Sequence, residues 1–218
     1  MLMSNKKIIS FGLWGDKPKY IQGAYENITL YRDLLPDWIC RFYINNSISS
    51  TVSDKLKTIG AEVFLYPVPE DFKDKDNMFW RFTAIYDREV EYVLSRDSDS
   101  RPSLREIEFV TQWLESNKTV HMIRDHKYHT VPIMGGMCGF NAKNMRNKYP
   151  DMRPYFYQYI SEKDTFICGP DQDFLGQFLF PKILNDNMTH ASYNLLLSTD
   201  IKVQPDDENF IGKDINVE

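Results

Sequence analysis

The sequence predicts an α/β fold with a mostly parallel sheet. Two observations carry this. Apolar strand-like runs alternate with helix-period segments over the first 125 residues, with Gly, Pro and polar turn signals between them. The chain also has the material for one large core: 218 residues, 42% hydrophobic and 14% aromatic.

KKIISFGLW (6–14) reads as a buried strand and GDKPKY as the loop after it. Residues 20–35 have helical spacing and stop at Pro36. ICRFYI (39–44) is a second strand, 49–59 a second helix ended by Gly60, and AEVFLYPV (61–68) a third strand. The loop PEDFKDKDN leads to a helix over 78–91 and a fourth strand over 92–95. Pro102 and Ser103 open a helix to Ser116, with Glu106 spaced for a capping box on Ser103. VHMIR (120–124) is a fifth strand, and GGMCGF (135–140) a short Gly-rich one. Residues 144–160 read as a helix broken between Pro150 and Pro154, and GPDQDF as a turn opening a helix at Asp171. The expected organisation is one domain over 1–195 and a polar tail or linker over 196–218, with further domains of a longer chain expected beyond it.

Bulk properties exclude several classes. A net charge of −5 gives a nucleic-acid partner no support from the chain as a whole. Cys40, Cys138 and Cys168 stand far apart with no CxxC, against a zinc knuckle or disulfide framework and for a reducing, cytoplasmic setting. MLMSNKKIIS does not read as a secretory signal, so the sequons at Asn27, Asn45, Asn117 and Asn187 carry no weight. No window approaches the roughly 20 apolar residues of a membrane span.

The chemistry concentrates in VLSRDSDSR (93–101), where a strand ends in Asp97-Ser98-Asp99. Two adjacent carboxylates repel unless a cation sits between them, and hard oxygen ligands favour Mn²⁺ or Mg²⁺. The plainer alternative is a solvated turn. An EF-hand fits poorly, with Pro102 at the sixth loop position. Arg81, sixteen residues upstream of Asp97, is placed to meet anionic phosphate, or is a surface arginine. Arg124, Asp125, His126 and His129 follow the fifth strand as a substrate rim or a solvated loop. Gly135 and Gly136 permit close backbone approach to a ligand, or form a simple bulge. Asp171 and Gln172 open a helix, where an Asp is most often a cap, and His190 stands alone.

Taken in order, RDSDSR, the upstream WRF arginine, IRDHKYH, GGMCG, DQDFL and a later His resemble GT-A glycosyltransferases, metal-dependent enzymes using nucleotide-sugar donors. The wording is similar to a group of bacterial and large-virus members, chlorovirus capsid-glycan enzymes among them. The resemblance covers residues 7–190. It implies a single Rossmann-like GT-A domain with a smaller acceptor-side subregion. Asp97, Asp99 and His190 would hold Mn²⁺ or Mg²⁺, with Ser98 on the donor side. Arg81 would contact the nucleotide. Phe11, Leu13, Gly15 and Tyr20 would line the base and ribose pocket, and Gly135 and Gly136 would sit against the donor sugar. Asp171 and Gln172 would face the sugar's hydroxyls and anomeric carbon, and Asp125 or Asp171 would be the base if transfer inverts. The implied reaction is transfer, with retention, from a UDP-sugar to a glycan or glycoprotein acceptor. A lysine gripping the diphosphate is unassigned. A sugar-nucleotide or glycan-binding module without catalysis, and a DxD phosphotransferase, are the alternatives.

Overall fold

The computed structural model describes residues 5–66, 74–163 and 165–215. Its centre is an eight-stranded sheet in the order β3-β2-β1-β4-β6-β5-β7-β8. The strands are β1 (Lys6–Leu13), β2 (Trp38–Ile44), β3 (Glu62–Leu65), β4 (Val90–Arg96), β5 (Val120–Arg124), β6 (Met137–Asn141), β7 (Asn187–Ala191) and β8 (Ile201–Lys202). All pairings are parallel except those of β6, which runs antiparallel to both β4 and β5. Helices cover the sheet, giving the expected mainly parallel, GT-A-type α/β architecture.

The helices are α1 (Pro18–Leu34), α2 (Ser50–Thr58), α3 (Leu104–Glu115), α4 (Ala142–Lys148), α5 (Met152–Ser161) and the short α6 (Pro170–Phe174). α1 starts with proline at its first position, where the missing N–H has no helical acceptor to lose. The predicted helix over 78–91 is instead a stretch of 3₁₀ turns, Asp74–Tyr86. Phe79, Trp80, Phe82, Ala84 and Ile85 on it are buried against the core. The loop assigned to 69–77 lies outside the described residues up to 73 and within these turns thereafter. The break expected near Pro150 separates α4 from α5.

Ser103 caps α3 by accepting the Glu106 N–H at 3.2 Å. The other half of the expected capping box does not form. The Glu106 carboxylate is buried and accepts instead from Arg96 Nε (2.6 Å) and the Tyr31 hydroxyl (2.9 Å). A buried arginine needs a carboxylate more than a helix terminus does.

Two regions differ from the sequence reading. NMTHA forms β7, a strand the pattern did not reveal, because Asn, Thr and His break the apolar run. The stretch from 196 onward, expected as a tail or linker, packs on the domain over its described residues. It supplies β8, and Ile211 is buried with Phe109, Ile123 and Met137. The Ile215 N–H donates to the Asp99 carbonyl at 2.8 Å.

Among the described residues, no helix is long and apolar enough to cross a membrane.

Candidate active site

β1 and β4 are neighbours at the point where the sheet reverses direction: the chain moves from β1 out to β2 and β3, then returns to β4. In α/β sheets ligands lie outside the carboxyl ends of the strands at such a point. A cavity of about 590 Å³ opens there, within the range of small-molecule sites. Leu13 and Gly15 contribute from the end of β1, and Tyr20 from α1. Asp97, Ser98 and Asp99 contribute from beyond β4, Arg81 from the 3₁₀ segment, and Asp171 and Gln172 from α6. Gly136 completes the wall from the start of β6.

The antiparallel course of β6 explains why the two glycines matter. Running opposite to β4, β6 begins where β4 ends: Met137 pairs with Arg96. Gly136 therefore arrives directly against Asp97, and a Cβ there would collide with that carboxylate. A Cβ on Gly135 would collide with the carboxylate of Asp171. The Gly135 carbonyl is fixed from below by the Ser95 hydroxyl at 2.7 Å.

Arg81 joins the two acids, donating from one terminal nitrogen to Asp97 Oδ1 and from the other to Asp171 Oδ2, the latter at 2.6 Å. Burial disfavours the guanidinium charge, but the two carboxylates more than restore it and its pKa is raised. Asp171 is fully buried, and burial lifts its pKa despite the opposing pull of Arg81. Arg81 is thus committed to protein carboxylates, and it orders Asp97 and Asp171 rather than standing free for phosphate.

Asp99 pairs with Lys19 of α1, whose ammonium lies 2.9 Å from Oδ2. That hydrogen bond raises the Lys19 pKa. Lys17 lines the cavity beside it. These two lysines, in the GDKPKY segment read only as a loop, bring positive charge to the Asp97–Asp99 end. The KPK spacing was the available signal, but lysines in a turn look like ordinary surface charge.

The arginines flanking the aspartates face inward. Arg96 pairs with Glu106 and donates to the carbonyls of Ser95 and Cys138. Arg101 pairs with Glu26 and donates to the carbonyls of Ser98 and Ser100. Asn27 of α1, fully buried, donates to the same two carbonyls at 3.2 and 3.0 Å. The loop carrying both aspartates is therefore held by its backbone, which leaves its carboxylates facing the cavity.

Four expected site residues do not line the cavity. Gly135 packs against the Asp171 carboxylate and the Arg81 guanidinium. Phe11 is on the same face of β1 as Leu13 but one step deeper, stacked on Phe42 with ring centroids 4.7 Å apart. Asp125 is fully buried and accepts two hydrogen bonds from Arg105 (2.9 and 2.7 Å), one from Ser192 (2.6 Å) and one from the Ile211 N–H (3.1 Å). It anchors structure and has no free face for an acceptor hydroxyl. His190 sits on β7, three strand spacings or roughly 14 Å from β4. Its ring nitrogens engage His121 at 3.0 Å and Gln112 at 2.9 Å, and its face stacks on Phe109. It is not placed to share a cation with Asp97 and Asp99. The rest of the expected rim also turns inward: Arg124 pairs with Asp200 at 2.5 Å, and His126 stacks on Phe210.

Among the described residues, no group of three His, Cys, Asp or Glu side chains is arranged to hold a metal. Asp97 and Asp99 are two hard oxygen donors on one loop lining the cavity, a pair that fits a cation also taking oxygens from substrate phosphates and water.

No family model matches the chain, and no curated protein matches it. Solved structures do. The chain is similar to 4-diphosphocytidyl-2C-methyl-D-erythritol synthase from Anaerococcus prevotii: 13% identity, TM-score 0.50, covering 91% of this chain and 92% of that one. It is also similar to the apo form of the glycosyltransferase GlyE from Streptococcus pneumoniae: 16% identity, TM-score 0.54, covering 82% of this chain and 44% of that one. A second GlyE structure gives 15% identity and a TM-score of 0.50 over 85% of this chain and 45% of that one. The chain therefore spans less than half of GlyE. At such identities the likeness is one of fold, and the fold is a GT-A-like α/β domain with a mostly parallel sheet flanked by helices.

Proposed function

We propose that this chain is a glycosyltransferase moving a sugar from a nucleoside-diphosphate sugar, UDP-linked, to a glycan acceptor with retention of configuration. The observation that carries the proposal is the convergence of Asp97, Asp99, Lys17, Arg81, Asp171 and Gln172 on one cavity at the sheet's reversal point. The GT-A-like fold supports it.

Asp97 and Asp99 would hold a divalent cation, which when bound would supply Lewis acidity toward the departing diphosphate. Lys17 and Lys19 add positive charge on the same side and fill the role of the unassigned diphosphate lysine. Asp171, oriented by Arg81, offers a fixed negative oxygen to the developing oxocarbenium charge. Gln172 keeps an unpartnered, buried carbonyl oxygen while its amide nitrogen donates to the Cys168 carbonyl, leaving that oxygen for a sugar hydroxyl. Gly135 and Gly136, by lacking side chains, make room for the Asp171 and Asp97 carboxylates, and Gly136 leaves backbone in the cavity wall for the donor sugar to lie against.

The test is incubation with UDP-, GDP- and CMP-sugars plus Mn²⁺, following nucleotide release and the anomer formed. Release of nucleoside diphosphate that disappears in Asp97→Ala and Asp99→Ala is the expected result. Donor binding without release would indicate a binding module. Release of inorganic phosphate would indicate a phosphotransferase.

A further inference from the structure

Asn77 lines the cavity and is fully buried, yet neither its amide nitrogen nor its amide oxygen has a hydrogen-bond partner among the described residues. A buried carboxamide with both functions unmet costs free energy, and natural folds keep few of them. Such a group in a cavity wall is matched by whatever fills the cavity. We propose that Asn77 reads the nucleobase edge of the donor, an inference that rests on the nucleotide-sugar reading above.

Position points to the base rather than the phosphates or sugar. The backbone carbonyl of Asn77 and the Trp14 ring lie 3.0 and 3.3 Å from the point a Gly12 Cβ would occupy, so the three residues meet at the carboxyl end of β1. Trp14 is held edge-on to Trp80, and Leu13, Tyr20 and Met78 line the same cavity. This end offers ring faces and apolar surface, with Asp16 and Lys17 next to them in the chain; Asp97 and Asp99 stand past the end of β4, where Arg81 of the 3₁₀ segment meets Asp97. A planar heterocycle needs stacking surface plus one donor and one acceptor side by side, and a carboxamide supplies that pair. Phosphates would require cations, and Asn77 carries no charge. Absence of a side chain at Gly12 lets the 3₁₀ segment come close enough to β1 to place Asn77 there.

The test compares UDP with inorganic pyrophosphate, each with Mn²⁺, by titration calorimetry on the wild type, Asn77→Leu and Asn77→Ser. Pyrophosphate lacks the base and isolates the phosphate end. The expected result is an affinity for UDP lowered about tenfold or more in both variants, the worth of one or two hydrogen bonds to a buried group, with pyrophosphate binding unchanged. Asn77→Leu, relieved of an unmet carboxamide, is expected to melt no lower than wild type. Unchanged UDP affinity would overturn the inference, as would equal loss of UDP and pyrophosphate, or unfolding of both variants. Failure of the wild type to bind UDP, GDP or CDP would instead remove the nucleotide-sugar reading on which it rests.

Discussion

The Lys19 ammonium forms a 2.9 Å ion pair with the carboxylate of Asp99, a residue that lines the cavity. In the proposed reaction Asp99 would hold the cation, and a lysine paired with it would compete with that cation. Lys19→Met is expected to strengthen binding of Mn²⁺ alone and to weaken binding of UDP in the presence of Mn²⁺ by about tenfold, the cost of one charged contact to phosphate. Calorimetric titrations with the metal and with the nucleotide measure the two effects separately. Parallel changes in both would contradict the competing role.

Arg81 spans Asp97 and Asp171, and neither carboxylate has another cation among the described partners. Arg81→Met leaves two acids facing each other, one of them buried. Loss of about 3–5 kcal/mol in chemical denaturation is expected. Asp171→Asn keeps the Arg81–Asp97 pair, so its fold should survive while turnover falls about a hundredfold or more. A folded Asp171→Asn variant with wild-type turnover would remove Asp171 from the chemistry.

Asp125 provides the contrast. Its oxygens serve Arg105, Ser192 and the Ile211 N–H, and the segment so fixed runs on to donate from Ile215 to the Asp99 carbonyl. Asp125→Asn is expected to lower stability by about 3 kcal/mol through the uncompensated Arg105. Turnover of the folded fraction should change far less than in Asp171→Asn. Ile211→Ala, which opens the small cluster with Phe109 and Met137, should cost about 2–3 kcal/mol. It should also weaken donor binding by loosening the Asp99 loop. Denaturation curves beside donor titrations separate the two effects.

Gly136→Ala places a methyl group on the Asp97 carboxylate. Because Gly136 precedes a strand paired on both sides, the backbone cannot withdraw easily, and Asp97 must turn away. Turnover in the presence of Mn²⁺ is expected to fall at least a hundredfold. Raising the Mn²⁺ concentration should not restore it.

His190 is kept neutral in the fold: burial, with a contribution from Arg105, brings its pKa down to about 4, and burial lowers His121 as well. The unfolded chain protonates such a histidine near 6.5, well before the native state does. Acidification from 6.5 toward 4 therefore favours unfolding, and stability rises with pH across that window. For His190 the full effect is about 3 kcal/mol. Urea denaturation at pH 7.0 and 5.0 should show the loss, and His190→Gln should flatten the slope.

The first five strands were legible because each is an apolar run between turn signals, and pairing could follow only the strand-helix alternation. β7 was not, since Thr189 and His190 are buried polar residues whose hydrogen bonds come from Asn187, His121 and Gln112. Asp125 and Asp171 look alike in sequence, each an acid next to a turn. Their difference lies in Arg105 and Arg81, residues distant in the chain from at least one of the groups they serve.

The sequence by itself determined the alternating α/β order and the arrival of two adjacent carboxylates at the end of a buried strand, because hydrophobic period and local charge are properties of short stretches. Tertiary structure alone decided what surrounds them. The antiparallel insertion of β6 carries Gly135 and Gly136 to the end of β4, and the folding of α1 across the sheet carries Lys19 to Asp99 and Asn27 beneath the loop. It also carries His190 three strands away from the acids it was expected to join. Such contacts join residues far apart in the chain; Arg81 and Asp171 are 90 positions apart. They depend on strand order and on the direction of one strand, which no local pattern encodes.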